Sequence, residues 1–225
     1  FLLITGLILA TTHIAHAGNV TGSVKFTGTP PDAVPVDMGA DPVCAGLNAT
    51  PYTVEDVIVN SNGTLKNVFV YVKEGLAGQE FPAPKEAAVI DQQGCRYVPH
   101  VLGAMVNQPL EIRNSDGTLH NVHALPKMSK EFNLGMPIKG MKIKKKFDKG
   151  EVMVKFKCDV HPWMSAYIGV LAHPFYGVSG DDGSFTIANL PAGTYTIEAW
   201  HEEYGTQTQS ITVDGDATAD FTFSG

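Results

Sequence analysis

The feature that most constrains the fold is an alternation of apolar and polar residues that recurs through most of the chain after residue 17. In the clearest case, Val154, Phe156 and Cys158 alternate with Lys155 and Lys157. Successive side chains of a β-strand point to opposite faces of the sheet, so this period of two predicts strands with one buried face. The same alternation occurs in residues 20–26, 68–72, 110–113, 185–187, 195–199, 211–213 and 221–223.

Turn-forming dipeptides separate these segments, as expected if each segment is a short strand. They are Asn62-Gly63, Asp116-Gly117, Asp182-Gly183 and Asp214-Gly215. Short alternating strands between frequent turns are typical of β-sandwiches and barrels, so the predicted fold class is all-β. Helical patterning is scarce, and residues 129–133 show only a weak helical preference.

Composition and the first residues predict an exported globular protein. The 225 residues are 44% hydrophobic with a net charge of -7, which excludes a disordered chain and favours no nucleic-acid partner. Residues 1–17 lack charge, start with an apolar run and end in Ala15-His16-Ala17, as in a signal peptide whose start is missing. A membrane anchor is the alternative, but the run is short for a span. We expect cleavage after Ala17, no membrane span in the mature protein, and a periplasmic or otherwise exported location.

A group of metal-binding residue types follows the strand that contains Val154 and Phe156. Cys158 stands at the inward-facing end of this strand, and His161 and Met164 follow at spacings of three. One thiolate, one imidazole and one thioether suit copper that cycles between Cu(I) and Cu(II). A trigonal copper site needs a second imidazole, which residues 114–123 offer at the end of another predicted strand.

Two histidines in that upstream segment are candidates for the second imidazole. Alternation places His120 on one face of the strand with Val122 and Ala124, and His123 on the other face. One metal ion is therefore not expected to bind both. His120 shares its face with apolar residues, as a ligand inside a sandwich does, whereas His123 is expected on the outer face or against a neighbouring loop.

Other chemistries fit the same residues less well. Cys158 and His161 would make a thiolate–imidazolium nucleophile, but no third orienting group or oxyanion site is identifiable. A zinc site normally uses several Cys or His ligands and rarely a Met. Copper is therefore the predicted metal, although each of these residues taken alone also fits ordinary core packing.

These residues also carry a resemblance to the cupredoxins, and among them to the amicyanins. The similar segments are residues 114–124, with the turn His120-Asn-Val-His123, and residues 147–171, with the loop Cys158-Asp-Val-His-Pro-Trp-Met164. The two-residue gap between the histidine and the methionine of this loop is the amicyanin form. The resemblance extends over roughly residues 86–172 and implies a Greek-key sandwich.

The resemblance implies a single type 1 copper ion and a function in single-electron transfer, not catalysis. Its equatorial ligands would be His120, Cys158 and His161, and Met164 would be the weak axial ligand. This ligand set agrees with the one that the residue types suggested.

The resemblance also implies roles for residues around the ion. Asn121 resembles the asparagine that links the two ligand loops in this family. Pro162 and Trp163, together with Met136-Pro137, are expected to form an apolar rim around a solvent-facing His161. In the cupredoxins that rim is the port for electrons.

A second resemblance covers the end of the chain. Residues 181–200 carry the Asp-Gly-x-Phe-x-Ile and Leu-Pro-x-Gly-x-Tyr runs of carboxypeptidase regulatory-like domains, which are transthyretin-type β-sandwiches. Residues 18–24 fit the first strand of that family. We therefore expect residues 18–85 and 175–225 to form one smaller, discontinuous sandwich, with the cupredoxin domain, residues 86–174, inserted into it. Two domains in tandem with an extended N-terminal arm are the alternative.

Three functions are compatible with these observations. The leading hypothesis is an exported copper protein that carries single electrons between redox proteins. The second is a periplasmic copper-binding or trafficking protein without an electron-transfer role. The third is a catalytic copper site with an open coordination position, in which Met164 does not bind the metal.

The charge distribution bears on the redox partner. Residues 86–174 contain twelve Lys or Arg against eight Asp or Glu, while the rest of the chain contains four against fifteen. Six of the lysines lie between residues 139 and 149. Such a run is commonly a solvated loop or a protected edge strand. Alternatively it docks an acidic redox partner or the acidic part of the same chain.

The three cysteines divide into two roles. If Cys158 is the copper thiolate, Cys44 and Cys95 remain as an even pair in an oxidising compartment. We predict that they form a disulfide between the N-terminal segment and the start of the cupredoxin domain.

Overall fold

The computed structural model describes residues 16–50 and 52–225, so the predicted signal peptide, residues 1–17, lies almost wholly outside the described residues. The described part of the chain is nearly all β, which confirms the predicted fold class. No helix in this part is long and apolar enough to cross a membrane.

One short helix and seventeen strands are formed by the described residues. The helix is α1 (Pro42–Leu47). The strands are β1 (Gly18–Thr27), β2 (Phe69–Glu74), β3 (Ala88–Gln92), β4 (Tyr97–Val98), β5 (Val101–Met105), β6 (Leu110–Asn114), β7 (His120–Leu125), β8 (Phe132–Met136), β9 (Lys142–Lys145), β10 (Glu151–Lys157), β11 (Ser165–Leu171), β12 (Tyr176–Val178), β13 (Ser184–Leu190), β14 (Gly193–His201), β15 (Gly205–Val213), β16 (Ala217–Thr218) and β17 (Phe221–Ser224).

The first and last strands of the chain share a sheet. Strand β1 pairs antiparallel with β13 and parallel with β16 and β17. A second sheet has the order β12-β2-β14-β15. Apolar residues from both sheets, among them Val24, Val70, Ile187, Ile197 and Phe223, form one buried cluster. Segments from both ends of the chain therefore contribute to one buried cluster.

The middle of the chain forms a second sandwich. Its sheets have the orders β5-β11-β10-β7-β8 and β4-β3-β6-β9. Ile90 and Ile112 from one sheet meet Val122, Phe156 and Ile168 from the other in a second buried cluster. Alternation explains this core. On β10, Val154 and Phe156 point inward, and the intervening lysines point outward.

The two sandwiches contact each other through aromatic side chains. Phe69 is fully buried between Tyr176 and strand β11. The ring centroids of Phe69 and Tyr176 are 5.4 Å apart. The Tyr176 hydroxyl donates to the carbonyl of Gly103 on β5 over 2.9 Å. Gly103 and Gly169 leave room for these rings, because a Cβ at either position would lie within 2.3 Å of an aromatic carbon.

Helical structure occurs at a place the sequence pattern did not indicate. The weak preference of residues 129–133 is overridden, because Phe132–Met136 pairs antiparallel with β7 as strand β8. Helix α1 forms instead because Asp41 caps it: its carboxylate accepts hydrogen bonds from the N–H groups of Val43 and Cys44. Pro42 occupies the first turn, where its missing N–H costs nothing. Residues 38–48, which include α1, are called the cap segment below.

Candidate metal centre

Strand pairing brings the predicted ligands to one end of the middle sandwich. Strands β7 and β10 are antiparallel neighbours, so the start of β7, at His120, lies beside the residue that follows β10, Cys158. His161 and Met164 lie in the tight turn between β10 and β11. The turn is closed by the N–H of Met164 donating to the carbonyl of His161 over 3.0 Å.

Three donor atoms converge at this end. Nδ1 of His120 lies 3.0 Å from Nδ1 of His161, and the latter lies 3.8 Å from Sγ of Cys158. All three side chains are buried, and Met164 is buried in the same apolar cluster as Cys158. A metal ion held about 2.0 Å from nitrogen and about 2.3 Å from sulfur spans such separations. The donor set therefore fits a single soft or borderline ion.

Cys158 lies in surroundings that favour a thiolate. Its sulfur accepts hydrogen bonds from the N–H groups of Asn121 over 3.4 Å and His161 over 3.3 Å. Burial opposes ionisation, but the hydrogen bond from His120 and those from the backbone outweigh it and lower the pKa of Cys158. The thiolate, not the thiol, is the metal-binding form.

The pKa values of the two converging imidazoles are shifted in opposite directions. Burial lowers the pKa of His161, and the nearby His120 lowers it further. Burial also acts against protonation of His120, but its hydrogen bonds with Asp116 and Cys158 raise its pKa to about 9.

The far nitrogen of each imidazole contacts a carboxylate. Nε2 of His120 lies 2.9 Å from Asp116, and Nε2 of His161 lies 3.0 Å from Asp41. Burial would raise the pKa of Asp41, but hydrogen bonds from Thr118, Cys44 and His161 lower it to about 2. Hydrogen bonds from His120, Cys95 and Gly94 likewise lower the pKa of Asp116 against the effect of burial.

Sequence reasoning missed both of these carboxylates. Asp116 stands four residues before His120 in a turn, a local signal that would have been sufficient to find it. Asp41 is 120 residues from His161, so only the three-dimensional structure brings it to the site.

His123 and Asn121 occupy distinct positions around the cluster. As alternation predicts, His123 points away from Cys158, and its ring nitrogens lie 2.9 Å from Asp159 and 2.8 Å from Glu131. The Asn121 side chain accepts from the N–H of Asp159 and donates to Asn133. Asn121 thus contacts the loop that follows β10 as well as β8.

His161 does not face solvent, contrary to the expectation from the cupredoxin resemblance. Its side chain is 3% exposed, because the cap segment lies over it: Sγ of Cys44 is 3.7 Å from Nε2. Pro162 is exposed, whereas Trp163 is half-buried and its indole N–H donates to the carbonyl of Cys95 over 3.1 Å. Of the other residues predicted for the rim, Pro137 is exposed and Met136 is buried.

The predicted disulfide is present. Cys44 and Cys95 are bonded across 51 residues of sequence, and Cys158 is the free cysteine of the described chain. The bond joins helix α1 to the loop between β3 and β4. It therefore holds the cap segment against the middle sandwich.

Comparisons with known proteins give one sequence match and several similar structures. Residues 168–224 match the carboxypeptidase regulatory-like domain, which confirms the second resemblance. A search of curated proteins finds no match in sequence.

Three of the similar structures illustrate the likeness, each at low sequence identity. A purple cupredoxin from Nitrosopumilus maritimus is 22% identical over 37% of this chain and 98% of its own, with a TM-score of 0.32. An amicyanin variant in its Cu(I) form is 21% identical over 45% of this chain and 97% of its own, with a TM-score of 0.34. A copper-containing nitrite reductase from Thermus scotoductus SA-01 is 20% identical over 42% of this chain, with a TM-score of 0.36, and only 24% of its length is covered.

Proposed function

We propose that this protein is an exported copper protein that transfers single electrons between redox proteins. The observation that supports the proposal most is the convergence of Cys158 Sγ with the Nδ1 atoms of His120 and His161 in a buried cluster. One thiolate and two imidazoles are the donor set of blue-copper electron-transfer sites, with a methionine as the weak fourth ligand. Met164 is the proposed fourth ligand.

The protein would contribute rigidity and a thiolate to this site. When bound, copper would supply the one-electron couple. His120 begins a strand, and Cys158 directly follows another, so the sheet restrains both side chains. The backbone N–H groups that donate to Cys158 hold its sulfur and stabilise negative charge on it. We propose that Asn121 keeps the two ligand loops in register through its hydrogen bonds.

We propose that electrons pass between the metal centre and the redox partner through the exposed surface at the metal-centre end of the middle sandwich. Pro162 and the half-buried Trp163 are the remaining candidates for the electron port, because His161 is covered. The lysines of residues 139–149 begin near Asp116, at Lys139, and continue along β9, an edge strand. They would attract an acidic redox protein, whose electron-transfer rate should then fall as ionic strength rises.

Copper titration followed by absorption and electron paramagnetic resonance tests the proposal. The expected result is an intense visible thiolate-to-Cu(II) band with a narrow copper hyperfine splitting. Cys158→Ser should abolish the band, and the matched variant His123→Gln, on the same strand as His120 but facing away, should retain it. A band that survives in Cys158→Ser would overturn the assignment.

The same titration separates the alternatives. A colourless protein that binds only Cu(I) would indicate copper storage or trafficking. Unchanged spectra in Met164→Leu would favour the open coordination position of a catalytic site.

A further inference from the structure

Each imidazole of the candidate metal centre contacts a carboxylate through the ring nitrogen that points away from the other donor atoms. Nδ1 of each imidazole faces the other ligands, while Nε2 faces Asp116 in His120 and Asp41 in His161. A carboxylate only accepts hydrogen bonds, so each Nε2 must carry the hydrogen. This leaves the lone pairs of both Nδ1 atoms for a metal ion.

Asp116 is locked in place by the chain around it. Its carboxylate accepts from the N–H groups of Gly94 over 2.9 Å and Cys95 over 2.8 Å, in addition to His120. Its own N–H donates to the side chain of Asn114 over 2.9 Å. The residue is buried, so these contacts are shielded from water.

Asp41 is held by the cap segment. The oxygen that faces His161 also accepts from the hydroxyl of Thr118 over 2.7 Å, and the other oxygen caps helix α1. The disulfide of Cys44 fixes the helix three residues further on, and Asn48 donates to the carbonyl of Gly94 over 3.0 Å. The position of Asp41 on His161 thus depends on the tethered cap segment.

We propose that Asp41 and Asp116 are positioning residues that orient His161 and His120 for copper and tune its redox couple, and that the disulfide-tethered cap segment keeps His161 closed to solvent. The proposal rests on the proposed copper function. A carboxylate partner makes an imidazole a more basic ligand and fixes its ring. Two negative charges behind the ligands favour Cu(II) over Cu(I), so both the affinity for Cu(II) and the reduction potential should depend on them.

The test compares Asp41→Asn and Asp116→Asn with Asp37→Asn. Asp37 is exposed on the same N-terminal segment and accepts only from the N–H of Gly39 among the described residues, so this control removes the same charge without touching a histidine. Both test variants should keep the visible band, bind Cu(II) about 10-fold to 100-fold more weakly, and have a higher reduction potential. The control Asp37→Asn should match the wild-type protein in its visible band, its affinity for Cu(II) and its reduction potential.

A second readout uses the metal-free protein. Nitrogen NMR of the imidazoles should show Nε2–H on His161 in slow exchange with water. In Asp41→Asn that exchange should accelerate, as it should in the double variant Cys44→Ala/Cys95→Ala, where the tether is lost. Asp41→Glu should partly restore the wild-type exchange and potential.

The outcomes distinguish this proposal from the copper function itself. If the wild-type protein shows no thiolate-to-Cu(II) band, the proposed function fails, and the NMR measurement still decides whether the carboxylates orient the imidazoles. If the band is present but Asp41→Asn and Asp116→Asn behave like Asp37→Asn in affinity, potential and exchange, the positioning role is wrong.

Discussion

At the scale of single residues, His100 and His201 show how burial and pairing change a pKa in opposite directions. His201 is 1% exposed, and its Nδ1 accepts from the N–H groups of Glu203 and Tyr204. Burial, helped by the nearby His100, lowers the pKa of His201 to about 4. His100 is also buried, but its hydrogen bond and charge interaction with Glu202 outweigh burial and raise its pKa.

These shifts predict how stability depends on pH. Between pH 6.5 and 4 the unfolded chain protonates His201 while the folded chain does not, so the free energy of unfolding should fall by up to roughly 3 kcal/mol as pH falls. His100 acts in the other direction: its contribution is complete below pH 6.5 and is lost as pH rises through its raised pKa.

The variant His201→Asn isolates the first effect. Its side-chain oxygen can still accept from the two N–H groups but does not titrate. Urea unfolding at pH 4.5 and pH 7 should therefore show a smaller difference in the variant than in the wild-type protein. An equal difference would contradict the assignment to His201.

A glycine at the contact between the sandwiches gives a second prediction at this scale. A Cβ at Gly169 would lie 2.3 Å from the ring of Phe69, which is itself fixed between Tyr71 and Tyr176. Gly169→Ala should lower the free energy of unfolding by about 1–3 kcal/mol through overpacking. Gly135→Ala, on strand β8 with no atom near its Cβ position, should change it by less than about 0.5 kcal/mol. Urea unfolding measures both, and equal effects would refute the packing argument.

At the scale of elements, the metal-centre end of the middle sandwich is held together by polar contacts between strand ends. The Tyr97 hydroxyl on β4 lies 2.6 Å from the carbonyl of Asn121 and 3.0 Å from that of Lys157. These carbonyls belong to the residues next to His120 and Cys158. The spacing between the two candidate ligands is therefore set by a buried side chain of the opposite sheet.

The disulfide acts on a whole element, the cap segment. In the chain-entropy account, a cross-link that closes a loop of 51 residues stabilises the folded state by about 4 kcal/mol. The metal-free double variant Cys44→Ala/Cys95→Ala should lose an amount of this order in urea unfolding at 25 °C. A loss below about 1 kcal/mol would contradict the chain-entropy account for this bond.

At the scale of the whole molecule, we propose that residues 18–85 and 175–225 form one discontinuous domain that carries the middle sandwich as an insertion. The supporting observation is the position of β1 between β13 and β16. Val20 and Val24 of β1 are fully buried in the same cluster as Phe185 and Phe221. Strands from the two chain ends therefore depend on one another.

Deletion of residues 16–28 tests this division. Without β1, strands β13 and β17 lose their common partner, so residues 175–225 should become sensitive to limited proteolysis. The visible copper band should persist, because the candidate ligands lie in the middle sandwich. If residues 175–225 stay protected, the tandem arrangement is correct.

Much of the fold was accessible from local sequence because strand patterning is a local property. The alternation on β10 correctly indicated that Phe156 is inside and Lys155 outside. The strand at Phe132–Met136 was missed because its conformation is imposed by pairing with β7, which outweighs a weak local preference. Helix α1 was missed because six residues carry little periodic signal.

The sequence by itself determined the all-β class, the carboxypeptidase regulatory-like segment, the disulfide and the grouping of Cys158 with His120 and His161. The class and the grouping depend on period, spacing and residue type, the disulfide on the cysteine count, and the segment on its resemblance to a known family. Only the tertiary structure decided that His161 is covered and that Asp41 and Asp116 face the imidazoles. The physical reason is that a contact between residues 41 and 161 produces no local pattern in the sequence. It forms when the Cys44–Cys95 disulfide holds the cap segment over the metal centre.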